Sequence, residues 1–521
     1  MTTTVRWKQP VALSAEEQRI AKVLKRVGKF YVFLREVRDE LFDEEFQAEL
    51  AAAYDPRGRE PLPAALLAMV TLLQAYDKTG DADAVVTAQM DKRWQLVLGN
   101  MHAGKAPFSQ GVLSQFRERM IQHDLDKKLL ERTVEVAKRT GKFGWQHLKA
   151  ALDSSPLLGA GRVLDTWNLI GRALSTVVTC AAKVTGSDRE SIIAEAQLSL
   201  STAPSLKAAL DIDWDDAEQR AKALRQLLDE VNRVEAWVTT RAGPLVNEPS
   251  LRDALAALRR VLEQDLEPDP TTGGSRIKRG VAKDRMPLLG DPEMRHGRKS
   301  KNKLFNGYKR HLMKIVGADI TVAAQVLPAN QAEQDAMAPL TDEAERHGLL
   351  EEVLLDRGYL GSPRIAELRA RGVTIRCKPW RSNNGGRFTK EQFDIRLTEK
   401  EVVCPAGVSA RVADSLLARF PSATCKPCQL RSQCTTARRN GRTVAIHPEE
   451  ALLIQLRRDL KTTDGRAALR QRTTIEHSLA RLGRIQGPRA RYKGTRKNTL
   501  DARRCAAVDN LQTLARLREA A

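Results

Sequence analysis

Three acids of this 521-residue chain stand where phosphodiester chemistry would use them. Cleaving a phosphodiester needs an activated hydroxyl and stabilisation of a departing alkoxide, and two Mg²⁺ ions about 4 Å apart supply both when carboxylates hold them. Mg²⁺ takes hard oxygen ligands and keeps several waters, so two or three acids from different elements suffice, with Mn²⁺ able to substitute. Asp153 closes the apolar run Leu148-Lys149-Ala150-Ala151-Leu152, and Asp356 closes Val353-Leu354-Leu355. A third acid is expected from a later helix over 470–482, where Ile475, Leu479 and Leu482 share an apolar face and Arg472 and Glu476 stand one turn apart. Glu476 is the natural third ligand, although an ordinary Arg472–Glu476 surface pair fits the same spacing. Asp165 is the nearest rival to Asp153.

A second cluster offers different chemistry. Cys404, Cys425, Cys428 and Cys434 follow the pattern C-x20-C-x2-C-x5-C, and four soft thiolates are enough for a closed tetrahedral Zn²⁺ site of structural type. Cys425 and Cys428 have chelating spacing, Cys404 and Cys434 fit less closely, His447 is an alternative to one cysteine, and free buried thiols are the competing reading. Cys180, Cys377 and Cys505 have no spacing partner and are expected in the core. Seven cysteines, an odd number in a long chain, are unlike a secreted disulfide scaffold.

Lys and Arg number 86 against 65 Asp and Glu, a formal charge of +21, which favours a polyanionic partner through counterion release. A merely soluble basic protein would carry the same charge. Over 481–497 the cations Arg484, Arg489, Arg491, Lys493, Arg496 and Lys497 are interrupted by Gly487, Pro488 and Gly494. This reads as a flexible basic strap directly after the third acid, placed to hold a phosphate backbone, or as a solvated charge run. Arg376, Lys378 and Arg381 extend the basic surface, and Trp380 suits either stacking on a flipped base or core packing. No stretch approaches the roughly 18 apolar residues of a membrane span, and Met1-Thr2-Thr3-Thr4-Val5-Arg6 has no apolar signal core. No membrane association and a cytoplasmic location are expected.

The elements that must position these residues can be read in order. Residues 14–145 are mostly helical, with apolar patches such as Tyr31-Val32-Phe33-Leu34 and Leu66-Leu67-Ala68-Met69-Val70. Within them Ser109 caps a helix bearing Arg117 and Arg119, either a DNA-contacting helix or a solvated face. A strand ends at Asp153 and runs into a loop at Ser154-Ser155-Pro156. Helices return over 162–267, with Leu224, Leu227, Leu228, Val231 and Val234 on one face. Residues 267–274 read as a linker and 291–299 as a polar basic loop. A hairpin over 307–316 and 320–326 follows, then helix (331–348), strand (353–356), helix (362–371) and strand (373–377). One strand, a helical insertion, a hairpin, then helix, strand, helix, strand is the ribonuclease-H-like order.

The predicted fold class is therefore α/β: a ribonuclease-H-like mixed sheet with a helical insertion and a cysteine-bearing insertion, preceded by an all-α N-terminal domain. The boundaries are 1–145 for a helical DNA-binding domain, 146–160 and 285–379 for the first parts of the catalytic core, 161–284 for the helical insertion, 380–464 for the cysteine-bearing insertion, and 465–521 for the closing helices with Glu476.

Several of these residues carry a resemblance. Leu354-Leu355-Asp356-Arg357-Gly358-Tyr359 resembles the D-x-G-Y stretch of bacterial insertion-sequence DDE transposases, and Arg472-Thr473-Thr474-Ile475-Glu476 resembles their R-x-x-x-E helix motif. The likeness continues through Arg489-Ala490-Arg491-Tyr492-Lys493-Gly494 and Asn510, and some relatives carry a similar cysteine-bearing insertion. The chain departs from the pattern at Leu469 and Gly483, where the family often has tyrosine and lysine, with Arg484 offered beside the latter, and at Ser154-Ser155 in place of Gly-Thr.

The resemblance implies that Asp153, Asp356 and Glu476 hold two Mg²⁺, that water cleaves the element end, and that the freed 3′-hydroxyl attacks target DNA without a covalent protein intermediate. Tyr359 and Tyr492 are then packing or phosphate-contact residues. It also implies double-stranded DNA partners (terminal repeats and target), contacts from Arg472 and the strap, a homo-oligomeric synaptic complex and association with the nucleoid. The alternatives are a ribonuclease-H-like nuclease without strand transfer and a domesticated DNA-binding protein without catalysis.

Overall fold

The computed structural model describes residues 6–8, 10, 12–54, 61–101, 103–141, 143–200, 206–300, 302–380 and 382–519. Residues 1–5, read above for a signal peptide, and Arg381 lie outside them. Up to Arg139 the apolar periodicity produces helices Ala15–Leu24, Lys29–Leu41, Glu44–Ala51, Ala64–Asp77, Asp81–Met90, Lys92–Leu98, Gln110–Gln122 and Leu125–Arg139. Their starts are fixed by side-chain caps: Ser14 and Glu17 form a reciprocal capping box, Asp43 accepts from the Phe46 amide, and Ser109 accepts from Val112 as its sequence predicts. The Ala64–Asp77 helix is buried from Ala64 to Ala75, so it has no polar face and must lie between other elements.

The main sheet has six strands: β1 (His147–Leu158), β2 (Arg295–Ser300), β3 (Lys303–Ile315), β4 (Ile320–Pro328), β5 (Leu349–Leu355) and β6 (Thr374–Arg376). Central β1 runs antiparallel to β3 on one side and parallel to β5 on the other, and β6 extends the parallel side. β2 pairs the first part of β3 and β4 the remainder, both antiparallel. Read across, the order is β4-β3-β1-β5-β6. The expected hairpin is β3–β4, turning through Asp319 at φ +54°.

Three local expectations are corrected. β1 does not stop at Asp153 but continues to Leu158, because β3 is 13 residues long and offers partners from Leu312 opposite Asp153 to Gly307 opposite Leu158. Pro156 is tolerated because beyond Leu152 the strand has lost its parallel neighbour and become an edge. The linker at 267–274 is a tight hairpin of Leu266–Pro268 with Ser275–Ile277. The basic loop at 291–299 is in large part β2, which satisfies the backbone of the first part of β3.

Between β1 and β2 the insertion forms helices Thr166–Thr185, Arg189–Glu195, Leu206–Leu210, Ala217–Trp237 and Pro249–Asp265. Leu224, Leu227, Val231 and Val234 are buried there and Leu228 half-buried, which makes the stripe core. The closing helix Thr495–Glu519 packs against β4 and against the Ala64–Asp77 and Leu125–Arg139 helices. Asn510 fixes this docking: its side chain accepts from the Thr321 amide (2.8 Å) and donates to the Thr321 carbonyl (2.8 Å) and Thr133 Oγ1 (2.9 Å). One apolar core therefore runs from the N-terminal helices through the sheet to the helical insertion, and position 145 divides element types rather than cores. The cysteine-bearing insertion has its own small core of Phe393, Val402, Ala410, Ala418, Phe420, Val444 and Ile446. Among the described residues no helix is long and apolar enough to cross a membrane.

Candidate active site

Strand register brings the first two acids together. Leu152 of β1 pairs with Leu355 of β5, the last pair of that parallel ladder, so Asp153, inside β1, and Asp356, one residue past β5, each follow directly on that pair. The Thr473–Gln486 helix buries Ile475, Leu479 and Leu482 and packs on β1, with Glu476 on its polar side. Arg472 then ties the set: its Nη1 donates to Asp153 Oδ2 at 2.6 Å and its Nη2 to Glu476 Oε1 at 2.7 Å. The helix-surface pair expected as the bland alternative is present, but the same guanidinium also spans to the first acid. Asp153, Asp356 and Glu476 line one cavity of about 740 Å³. Burial raises the Asp153 carboxyl above its ordinary range and the charge of Asp356 adds to this, against the Ser154 amide (2.8 Å) and Arg472.

A fourth carboxylate, Glu333, lines the same cavity and accepts from Ser154 Oγ at 2.6 Å. It lies on the 3₁₀ turn Glu333–Ala336, where no periodicity singles it out. The signal that points to it is Gly358, two residues after Asp356, where a Cβ would overlap the Glu333 carboxylate. Arg310 of β3 was also missed. It is buried, lines the cavity, and donates to Ser155 Oγ (2.8 Å), Gln486 Oε1 (2.9 Å) and the Gly487 carbonyl (3.2 Å). A Cβ at Gly483 would stand 3.0 Å from its Nη2, so the absent side chain at 483 leaves room for a cation from the sheet.

Tyr359 is fully buried and its hydroxyl lies 2.7 Å from His311 Nδ1. Burial pushes that hydroxyl well above its ordinary range, with Glu333 and Asp153 adding to the shift. Burial also lowers His311 to about 3, so the imidazole is neutral at physiological pH. Tyr359 is thus a packing residue. Asp165, the rival acid, caps the Thr166–Thr185 helix and pairs with Lys207 at 2.9 Å, away from the cavity.

The expected basic strap is anchored rather than flexible. Pro488 and Ala490 bond to the backbone of Leu158 at the end of β1. Arg489 donates to the Gly159 carbonyl (2.9 Å), Arg491 to the Thr79 carbonyl, and Arg496 to the buried Asp126 (2.7 Å) and to Asp124 (3.1 Å). Arg484, Lys493 and Lys497 are exposed. Tyr492 lies between the guanidiniums of Arg117 and Arg504, each 5.9 Å from its ring. Arg117 also holds Asp81 and Arg119 covers Tyr54, so the arginines of the Ser109-capped helix face inward. Arg376 is spent on Glu352 (3.1 Å) and Asp459 (2.8 Å), Lys378 is exposed, and Trp380 is part-exposed against His447 at 5.5 Å.

Cys404, Cys425, Cys428 and Cys434, all free and half-buried, line one small apolar cavity with Phe388 and Phe420. Burial raises the Cys434 thiol, and the other three cysteines add to the shift. His447 does not join them: its Nδ1 accepts from the Glu449 amide (3.0 Å). Cys377 and Cys505 are buried and Cys180 half-buried against the core. Among the described residues no three His, Cys, Asp or Glu side chains stand close enough to grip a metal ion. The donor chemistry nevertheless suits two different metals: carboxylate oxygens alone at the strand ends fit a hard divalent cation, and four thiols fit zinc. At the first site the Arg472 guanidinium supplies positive charge between two of the acids.

Comparison with known proteins bears on both ends of the chain. A family described as transposase domain (DUF772) matches residues 22–119, within the N-terminal helices, and one described as transposase DDE domain matches residues 403–515, from the cysteine-bearing insertion through Glu476 to the closing helix. No curated protein and no solved structure matches. With one transposase family at each end, the chain is consistent with an insertion-sequence DDE transposase.

Proposed function

We propose that the chain cleaves DNA at the ends of an insertion sequence and joins the freed 3′-hydroxyl to target DNA by transesterification. The observation that carries the reading is the Leu152–Leu355 register, with Asp153 and Asp356 following that pair and lining one cavity with Glu476. Asp153, Asp356 and Glu476 would hold divalent metal, Mg²⁺ by choice of donor. Bound there, the metal supplies charge stabilisation for the departing alkoxide. The chain's own part is to keep these carboxylates converged on one cavity, with Arg472 relieving their mutual repulsion. The order β4-β3-β1-β5-β6, with β3 antiparallel and β5 parallel to β1, supports a ribonuclease-H-like core.

Double-stranded element ends and target are the DNA partners in this reading, bound by two or more copies of the chain in one synaptic complex. The cysteine cluster is a structural Zn²⁺ site, supported by four thiols lining one cavity; metal analysis of the purified full chain should find about one zinc per chain, lost in Cys425→Ser. The central test is incubation with a plasmid carrying the element between its own ends, with Mg²⁺. Joined products support transposition, whereas nicked plasmid without joining would reduce the reading to a nuclease.

A further inference from the structure

Cations around the acids are used in two ways. Arg472, Arg481, Arg496 and Arg503 each hold a carboxylate. Arg298 and Lys299 of β2 and Lys303 of β3 are exposed, and their side chains make no hydrogen bond or ion pair to any described residue. All three nevertheless line the cavity that contains Asp153, Glu333, Asp356 and Glu476. Between them Leu304 is 51 % exposed and lies opposite Arg298 in the strand register.

The root of this hairpin is held firmly. Arg295 donates to Asp284 Oδ1 at 2.7 Å, His296 Nδ1 lies 3.1 Å from Asn306 Oδ1, and Phe305 is buried. Gly297 runs so close to Ala329 that a Cβ would collide with the Ala329 carbonyl. A firm root and a bare cationic tip make an arm whose position is set before any ligand arrives. Four carboxylates repel a polyanion approaching the cavity, so cations lining the same cavity must offset them. Phosphate oxygens suit Arg298, Lys299 and Lys303, and an exposed leucine between them suits a deoxyribose or base edge.

We propose that the β2–β3 hairpin is a DNA-gripping arm: Arg298, Lys299 and Lys303 neutralise phosphates of a duplex crossing the acids, and Leu304 packs on the sugar or base edge between those phosphates. This rests on the reading of the chain as a DNA transposase. It adds a phosphate-binding surface to the expected C-terminal strap.

The test measures binding of the full chain to a labelled duplex of arbitrary sequence by fluorescence anisotropy over a series of salt concentrations. Replacing three phosphate contacts in Arg298→Ala/Lys299→Ala/Lys303→Ala should flatten the dependence of log K on log salt by about 2.7, at roughly 0.9 per contact. Leu304→Ser should weaken binding about fivefold and leave that slope unchanged. All four side chains are exposed, so the unfolding midpoints should match the wild type. A triple variant with the wild-type slope overturns the arm, while a wild type that does not bind the duplex overturns the transposase reading itself.

Discussion

The C-terminal strap and the β2–β3 hairpin contain the same residue types, yet three of the strap's six cations are bonded within the fold while Arg298, Lys299 and Lys303 of the hairpin pair with no described residue. In the strap, Arg489 and Arg491 donate to backbone carbonyls and Arg496 closes on Asp126, whose side chain has no exposure. In the hairpin, Arg298, Lys299 and Lys303 face a cavity lined by four acids and pair with none of them. A run of Arg and Lys in sequence fixes charge density, but the acids that lie across space decide whether that charge builds the fold or waits for a ligand. Within the strap, Arg489, Arg491 and Arg496 tie the end of β1 and the closing helix to their neighbours, whereas Arg484, Lys493 and Lys497 stay exposed.

The largest effect expected on the strap side comes from Asp126→Ala, which removes the buried partner shared by Arg496 and Arg503. Removing one side of a buried pair costs about 3 kcal/mol or more, to be read as a lower denaturant midpoint with an unchanged salt slope for DNA binding. A changed slope with an unchanged midpoint would instead return Arg496 to the DNA-binding surface.

Beneath the acids, His311 gives a pH test of groups committed to the fold. Its folded pKa is depressed to about 3 from 6.5, so the unfolded chain binds more protons in that interval. Its contribution to stability is present above pH 6.5 and is lost as pH falls toward 3. Part of the acid sensitivity should therefore disappear in His311→Gln, seen as a shallower fall of the unfolding midpoint between those limits; an identical pH profile would contradict a buried neutral imidazole. The smallest effect is expected of exposed Arg484→Ala, within about 0.5 kcal/mol of wild-type stability.

Much of the site was legible because it depends on short apolar runs ending in an acid. Asp153 and Asp356 follow such runs, and in the parallel register of those runs both follow directly on the Leu152–Leu355 pair. Glu476 was legible from a helical face and a one-turn spacing. Glu333 was not, because a 3₁₀ turn has no period long enough to read, and Arg310 was not, because its position depends on the missing side chain at Gly483. Pairing misled in the same way at β1 and β2: Ser154-Ser155-Pro156 and the basic run before Ser300 look like loops locally, but long β3 supplies a partner for each. The inward turn of Arg491 and Arg496 was equally hidden, since Thr79 and Asp126 are more than 300 residues away in the chain.

The most direct measurement is cleavage of a labelled duplex carrying the element's end by the wild type and by Asp356→Asn, with Mg²⁺, alongside DNA binding by both proteins. If Asp153, Asp356 and Glu476 form the catalytic centre, Asp356→Asn binds DNA as the wild type does and loses cleavage by about a thousandfold or more, the scale of one essential charged group in a transition state. Cleavage by Asp356→Asn at the wild-type rate would contradict the account.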